Sequence, residues 1–193
     1  MDYDTFKKYV DDLFEDAEDD KGNKFIPYEY QVKAAYTMLR YKKCCGEIST
    51  SGGKTLISFI MFKYLIDIAG VENMLYIVPS IDLANQSAEK YELYESFLKK
   101  HNHNWEIGIL RSGLNKKEKE KVLSCNILFG TFQSLCKRDV NFFNKFTACL
   151  CDEAHHGSSA SIKNIYNKLH NLEYSIGVTG TFPKPNLYEY LVL

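Results

Sequence analysis

The stretch that most constrains this chain is Ile48-Ser49-Thr50-Ser51-Gly52-Gly53-Lys54-Thr55. A short apolar run, Cys44 to Ile48, precedes it and reads as a buried strand. A mostly apolar segment of helical length, Leu56 to Ile68, follows. Strand, small-residue turn and helix is the context in which such a loop cradles phosphate. Small residues let backbone N–H groups approach anionic oxygens, and the helix start adds the positive end of its dipole. In that setting Lys54 would reach the β- and γ-phosphates of a nucleotide and the Thr55 hydroxyl would ligate Mg²⁺. The pattern G-x-x-x-x-G-K-[ST] has its first glycine at position 48, which is Ile48 here. A lone Gly-Gly-Lys-Thr is also how an ordinary helix starts, so the remainder of the chain has to decide.

The length of 193 residues suits one large domain with a sizeable core. A net charge of -1 conceals an asymmetry. Residues 1–30 carry 10 acidic and 4 basic side chains, and the rest carries 15 and 20. A mildly basic body is compatible with nucleic-acid binding, although the excess is modest. None of the six cysteines forms a C-x-x-C pair, and most sit in apolar runs, so they read as reduced core residues of a cytoplasmic-type compartment. The N-terminus lacks the basic and apolar regions of a signal peptide. Lys63 and Asp67 interrupt the most apolar segment, which argues against a membrane span.

Apolar spacing predicts an acidic helix over residues 2–19, with Phe6, Val10, Leu13 and Ala17 on one face, and treats residues 1–24 as a helical appendage to a domain at 25–193. Further helices are expected at 31–39, 83–100, 115–123 and 162–169, and strands at 74–78, 105–110, 126–130, 148–151 and 174–178. Alternating strands and helices predict an α/β fold, a doubly wound parallel sheet covered on both faces. Such sheets place ligands at the carboxyl ends of their strands. The polar signals fall there: Pro79 to Gln86, Gly130 to Leu135, Asp152 to His155, and Thr179 to Thr181.

Asp152 and Glu153 weigh most among these. Adjacent carboxylates ending an apolar run are poor core residues. They suit a Mg-nucleotide site in which Asp152 holds the hydrated metal bound by Thr55 and Glu153 polarises the attacking water. A solvated strand end or a helix cap is the plainer account.

With the run Asp152-Glu153-Ala154-His155 included, the order of motifs over residues 27–183 resembles the first, RecA-like motor domain of superfamily 2 helicases and translocases of the DEAH-box type. Ser51 in the loop and Tyr30-Gln31 ahead of it are similar to the UvsW-type recombination helicases of tailed phages. The resemblance implies ATP and Mg²⁺ as cofactors and DNA, single-stranded or branched, as partner. It implies that Thr50, Ser51, Gly52, Gly53, Lys54 and Thr55 hold the nucleotide, that Gln31 recognises adenine, and that Tyr28 stands where the family has an arginine. It implies nucleic-acid backbone contacts for Ser80, Gly113, Thr131 and Gln133, with Arg111 beside them; each is also at home as a cap, turn or surface residue. His155 would bridge the nucleotide site to Thr179, Gly180 and Thr181, which couple hydrolysis to strand movement. It also implies a second RecA-like domain carrying arginine fingers, and the residues after Thr181 contain no arginine. A translocase subunit of a restriction system shares these motifs, and a non-hydrolysing binding module is the alternative from another class.

Overall fold

Met74–Val78 and Ile127–Thr131 are short runs of mostly β-branched and aromatic residues that exclude water on both faces. In the computed structural model, which describes residues 1–49, 51–99, 105–155 and 160–180, they are adjacent interior strands of a six-stranded sheet. The strands are β1 (Lys43–Glu47), β2 (Met74–Val78), β3 (Ile107–Leu110), β4 (Ile127–Thr131), β5 (Ala148–Cys151) and β6 (Tyr174–Thr179). Their order is β1-β6-β5-β2-β4-β3 and every neighbouring pair is parallel. The carboxyl ends of all strands therefore lie along one rim.

The helices are α1 (Tyr3–Leu13), α2 (Glu29–Tyr41), α3 (Lys54–Asp67), α4 (Ile81–Phe97), α5 (Lys116–Ser124), α6 (Phe132–Leu135), α7 (Val140–Phe143) and α8 (Ala160–Tyr166). They split between the two faces because strand side chains alternate. Met74, Tyr76 and Val78 join the core made with α1 to α4, whereas Leu75 and Ile77 join the one made with α6, α7 and α8. This is the α/β, doubly wound architecture the alternating pattern predicts.

Helix α3 is apolar nearly all round and buries residues on every side, from Leu56 and Ile57 to Phe62 and Leu65. It holds one buried cation. Lys63, 1% exposed, lies 3.6 Å from Asp67 and 3.5 Å from Glu95 of α4. Tyr9 of α1 donates to Asp67 at 2.9 Å, so three helices meet at one polar cluster.

The acidic N-terminal segment is not peripheral in its packing. Phe6, Val10, Leu13, Phe14 and Ala17 belong to the same core cluster as α2 and α3, while Asp4, Asp11, Asp12, Glu15 and Asp16 are exposed. The helix itself stops at Leu13, short of the expected residue 19. Asp19 accepts from the backbone N–H groups of Lys21 and Asn23 and closes a tight loop, and Phe25 N–H donates to Ala17 carbonyl. Local side-chain bonds of this kind compete with helix. The four-residue helices α6 and α7 were not expected from periodicity, being shorter than any repeat it detects. Residues 186–193, whose sequence suggests the start of a further helix or strand, lie outside the described residues.

The six cysteines are free thiols. Burial pushes Cys149 up to about 12 and Cys45 likewise to about 12, which marks them as inert packing groups. Among the described residues no helix is long and apolar enough to cross a membrane, and no group of His, Cys, Asp and Glu has a metal-holding arrangement by itself.

Candidate functional site

The loop after β1 runs into α3 without a side-chain cap. Gly53 takes the cap position with φ 74, a left-handed conformation that suits glycine. A Cβ there would run into the Gln31 amide. Gly52 is buried, Ser51 is exposed, and Thr50 lies outside the described residues. Lys54 and Thr55 open α3, where the backbone N–H groups of its first turn have no helical acceptors.

Gln31 does two jobs at the start of α2. Its Oε1 accepts from Tyr28 N–H at 2.9 Å in a capping box, and its Nε2 lies 3.5 Å from Gly52 carbonyl. Both the capping role and the place beside the loop are therefore real, and the side chain is only 5% exposed. Tyr28 is 70% exposed and its ring stacks on Tyr30 at 5.8 Å. Tyr30 in turn donates its hydroxyl to Gly52 carbonyl at 3.1 Å. The position of Tyr30 against the loop carries no signature in the sequence beyond an aromatic preceding Gln31.

Across the rim, β5 ends at Cys151 and the chain turns sharply. Asp152 N–H still pairs with Ile77 carbonyl at 2.9 Å, continuing the strand ladder by one residue. Glu153 then takes φ 49, a left-handed conformation that is uncommon for a residue with a side chain and is found at sites where orientation matters. Its carboxylate receives Lys54 Nζ on Oε1 at 2.9 Å, and Oε2 lies 3.1 Å from His155 Nδ1. The same Nδ1 is 3.0 Å from Thr179 Oγ1. The sequence separation between Lys54 and Glu153 is 99 residues. Lys54, Glu153, His155 and Thr179 thus form one continuous polar chain across the carboxyl ends of β1, β5 and β6. Gly180 follows on the same rim, and Thr181 lies outside the described residues.

Burial raises the Asp152 carboxyl above its ordinary range, opposed by the Glu153 N–H that its Oδ1 accepts at 2.9 Å and by the nearby Lys54 charge. The Asp152 carboxyl is thus partly desolvated between the Lys54 ammonium and the Glu153 carboxylate.

A second polar region lies on the same rim over β3 and β4. Arg111, Thr131 and Gln133 line one pocket of about 400 Å³, joined by Ser112, Ser134, Lys137 and Arg138. Thr131 caps α6, its hydroxyl accepting from Ser134 N–H at 3.2 Å, and Ser80 caps α4 by accepting from Leu83 N–H at 3.3 Å. Gly113 turns the chain after β3 with φ 85. Ser80 and Gly113 are outside that pocket lining, so the expected nucleic-acid contacts are gathered only in part. Lys137 and Arg138 join the expected residues here, and their signal in the sequence is a basic pair shortly after Gln133.

Residues 24–184 match the sequence family described as "Type III restriction enzyme, res subunit". The chain belongs to this family. Over 189 residues it is 29% identical to the "ATP-dependent DNA helicase uvsW" of Enterobacteria phage T4, a match covering 96% of this chain and 36% of that protein. The solved structure of the UvsW helicase from bacteriophage T4 superimposes on 99% of the chain with a TM-score of 0.83 at 23% identity, and 65% of that structure is covered. The Sulfolobus solfataricus SWI2/SNF2 ATPase core, solved with dsDNA, superimposes on 86% with a TM-score of 0.61 and is covered to 36%. This member of the res-subunit family accordingly has the RecA-like fold of helicase cores and spans about a third of the length of the curated helicase it matches.

Proposed function

We propose that the chain is the ATP-binding first motor domain of a DNA helicase or translocase, which couples ATP hydrolysis to unwinding or branch remodelling once joined to a second RecA-like domain. The observation that carries this reading is the Lys54–Glu153–His155–Thr179 chain, because it joins the loop to the ends of two other strands through charged and hydroxyl groups. The residues suit ATP and Mg²⁺. Gly53 leaves no room for a side chain beside the loop, and the burial-strained Asp152 carboxylate and the Thr55 hydroxyl are the hard oxygen donors that Mg²⁺ takes. Bound there, the metal would neutralise charge on the phosphoryl group being transferred.

The chain's own residues would divide the work. The loop from Thr50 to Gly53 would offer backbone N–H groups to phosphate, that of Gly52 giving up the Ser49 carbonyl it now donates to at 2.8 Å, and Lys54 would exchange its Glu153 partner for phosphate oxygens. Glu153, released from that ion pair, orients and deprotonates water, with His155 holding its second oxygen. His155 then passes the change in Glu153 to Thr179, at the start of the Thr179-Gly180-Thr181 run. Gln31 and Tyr28 flank the loop where the adenine would lie, the amide pairing with its edge and the exposed ring offering a stacking face. Ser80, Arg111, Gly113, Thr131 and Gln133 would follow the nucleic-acid backbone without reading sequence. The compartment consistent with free thiols and a phage-type helicase is the cytoplasm, the host's if the gene is viral.

The test is nucleotide affinity. A fluorescent ATP analogue should bind the parent chain in the presence of Mg²⁺, and Lys54→Ala should weaken it by about 2–3 kcal/mol, the scale of a charge-assisted contact. Unchanged affinity in a folded Lys54→Ala chain would overturn the loop assignment. The family description favours a second reading, the translocase subunit of a restriction system. The two part on the product of a two-domain version: separated strands for a helicase, and movement along intact duplex for a restriction translocase.

A further inference from the structure

The pocket beside Thr131 holds more positive charge than the expected contact residues account for. Arg111, Lys137 and Arg138 all line it, together with the hydroxyls of Ser112, Thr131 and Ser134, and no carboxylate is among its lining. Asp139, next in the chain, commits its carboxylate to capping α7, accepting from Phe142 N–H at 3.0 Å. Lys137 is exposed, whereas the Arg138 guanidinium is steadied over the Phe142 ring at 5.5 Å.

The backbone that carries these two cations needs support. The 136–138 turn lies between α6, which ends at Leu135, and α7, which starts at Val140. Lys168, just past α8, donates to two of its carbonyls. Its Nζ donates to Cys136 carbonyl at 2.9 Å and to Arg138 carbonyl at 2.7 Å, while Arg138 N–H donates to Leu135 carbonyl at 2.9 Å. Ile165 and Leu169, buried on either side of Lys168 in sequence, anchor the segment it projects from. One ammonium group thus ties down both ends of the 136–138 turn from the connection between α8 and β6.

We propose that Lys168 is a positioning residue for nucleic acid: it fixes the 136–138 turn so that Lys137 and Arg138, with Arg111, receive a backbone phosphate. The proposal rests on the nucleic-acid reading given above. A turn already in place does not have to be ordered on binding, and that saving appears as affinity.

The experiment is binding of a fluorescent oligothymidylate to the chain as a function of salt, with the nucleotide analogue as a second readout on every variant. Lys137→Ala and Arg138→Ala should each lower the slope of log affinity against log salt by about 0.7, as expected for one phosphate contact on a single strand. Lys168→Met should weaken binding about tenfold, the order of one charge-assisted contact, and Lys168→Arg should restore most of it. Added to Lys137→Ala/Arg138→Ala, the Lys168→Met change should cost nothing further, because it acts through those two residues. A full additional loss in that background overturns the positioning role. Unchanged affinity and slope in Lys137→Ala/Arg138→Ala overturns the pocket, and these surface changes keep the test open should Lys168→Met fail to fold. If the parent binds nucleotide but no oligothymidylate at low salt, the nucleic-acid reading itself falls and this proposal with it. If the parent binds and the variants match it, this proposal falls alone.

Discussion

Glu153 shows how much one residue can be asked to hold. It takes a left-handed backbone, pairs with Lys54 and faces His155, all within one turn of chain. Replacing it with glutamine removes the charge that competes with phosphate for Lys54. Glu153→Gln should therefore bind the ATP analogue several-fold tighter, as equilibrium titration would show, while a two-domain version loses turnover. Its neighbour Asp152 makes a prediction about pH. Burial raises its pKa in the folded chain above the ordinary 3.8, so the folded state holds its proton to higher pH than the unfolded state does. Stability then falls as pH rises from the ordinary carboxylate range through the raised value, and the cost persists at neutral pH. Asp152→Asn should melt a few degrees higher than the parent at neutral pH, with the difference closing in acid where both chains are uncharged at this position. A thermal melt series across pH reads this directly. The same substitution should abolish the Mg²⁺ dependence of nucleotide binding, so stability and function pull in opposite directions here.

Among the elements, α3 organises the most. Its first turn meets the loop, its body is buried, and its last turns hold the Lys63 cluster. Lys63→Ala would remove the ammonium that faces the buried Glu95 carboxylate. The expected cost is about 3–5 kcal/mol in denaturant unfolding, and Lys63→Met combined with Glu95→Gln should recover most of it. Periodicity found α3 and gave no hint of this cluster: Lys63 looked like a charge interrupting an apolar run, and its acceptor Glu95 is 32 residues away. Helix α1 teaches a related lesson. Its apolar stripe was legible, but the partner of the stripe was not, and the segment read as an appendage though its stripe packs into the main core. Its end at Leu13 depended on the Asp19 turn, whose side-chain bonds outweighed a pattern that ran on to Ala17.

For the whole molecule, the sheet has β1 at one edge and β3 at the other, so the loop at Ile48 to Thr55 leaves from an edge strand. The candidate site lies along the rim formed by the carboxyl ends of the strands. The chain covers 36% of the helicase it matches in sequence. Under the proposed function, this chain alone should bind nucleotide but turn it over slowly, with no stimulation by DNA. A version extended to include a second domain should be faster by about 10³ or more, the usual contribution of an arginine supplied across the site. A phosphate-release assay on the two proteins decides the matter, and DNA-stimulated turnover by the short chain would overturn the dependence on a second domain.

The sequence by itself determined the alternation of strands and helices, the loop-to-helix junction at Gly53 and Lys54, and the carboxylates that end β5. These are local: each follows from side-chain period, from glycine's backbone freedom or from the cost of burying charge. Only the tertiary structure decided that Lys54 meets Glu153, that His155 reaches Thr179, and that Lys168 ties down the turn carrying Lys137 and Arg138. Those contacts join residues from 24 to 99 positions apart. The first two exist because a parallel sheet returns every strand to the same rim, the third because α8 packs beside α6, and no periodicity along the chain records which ends become neighbours.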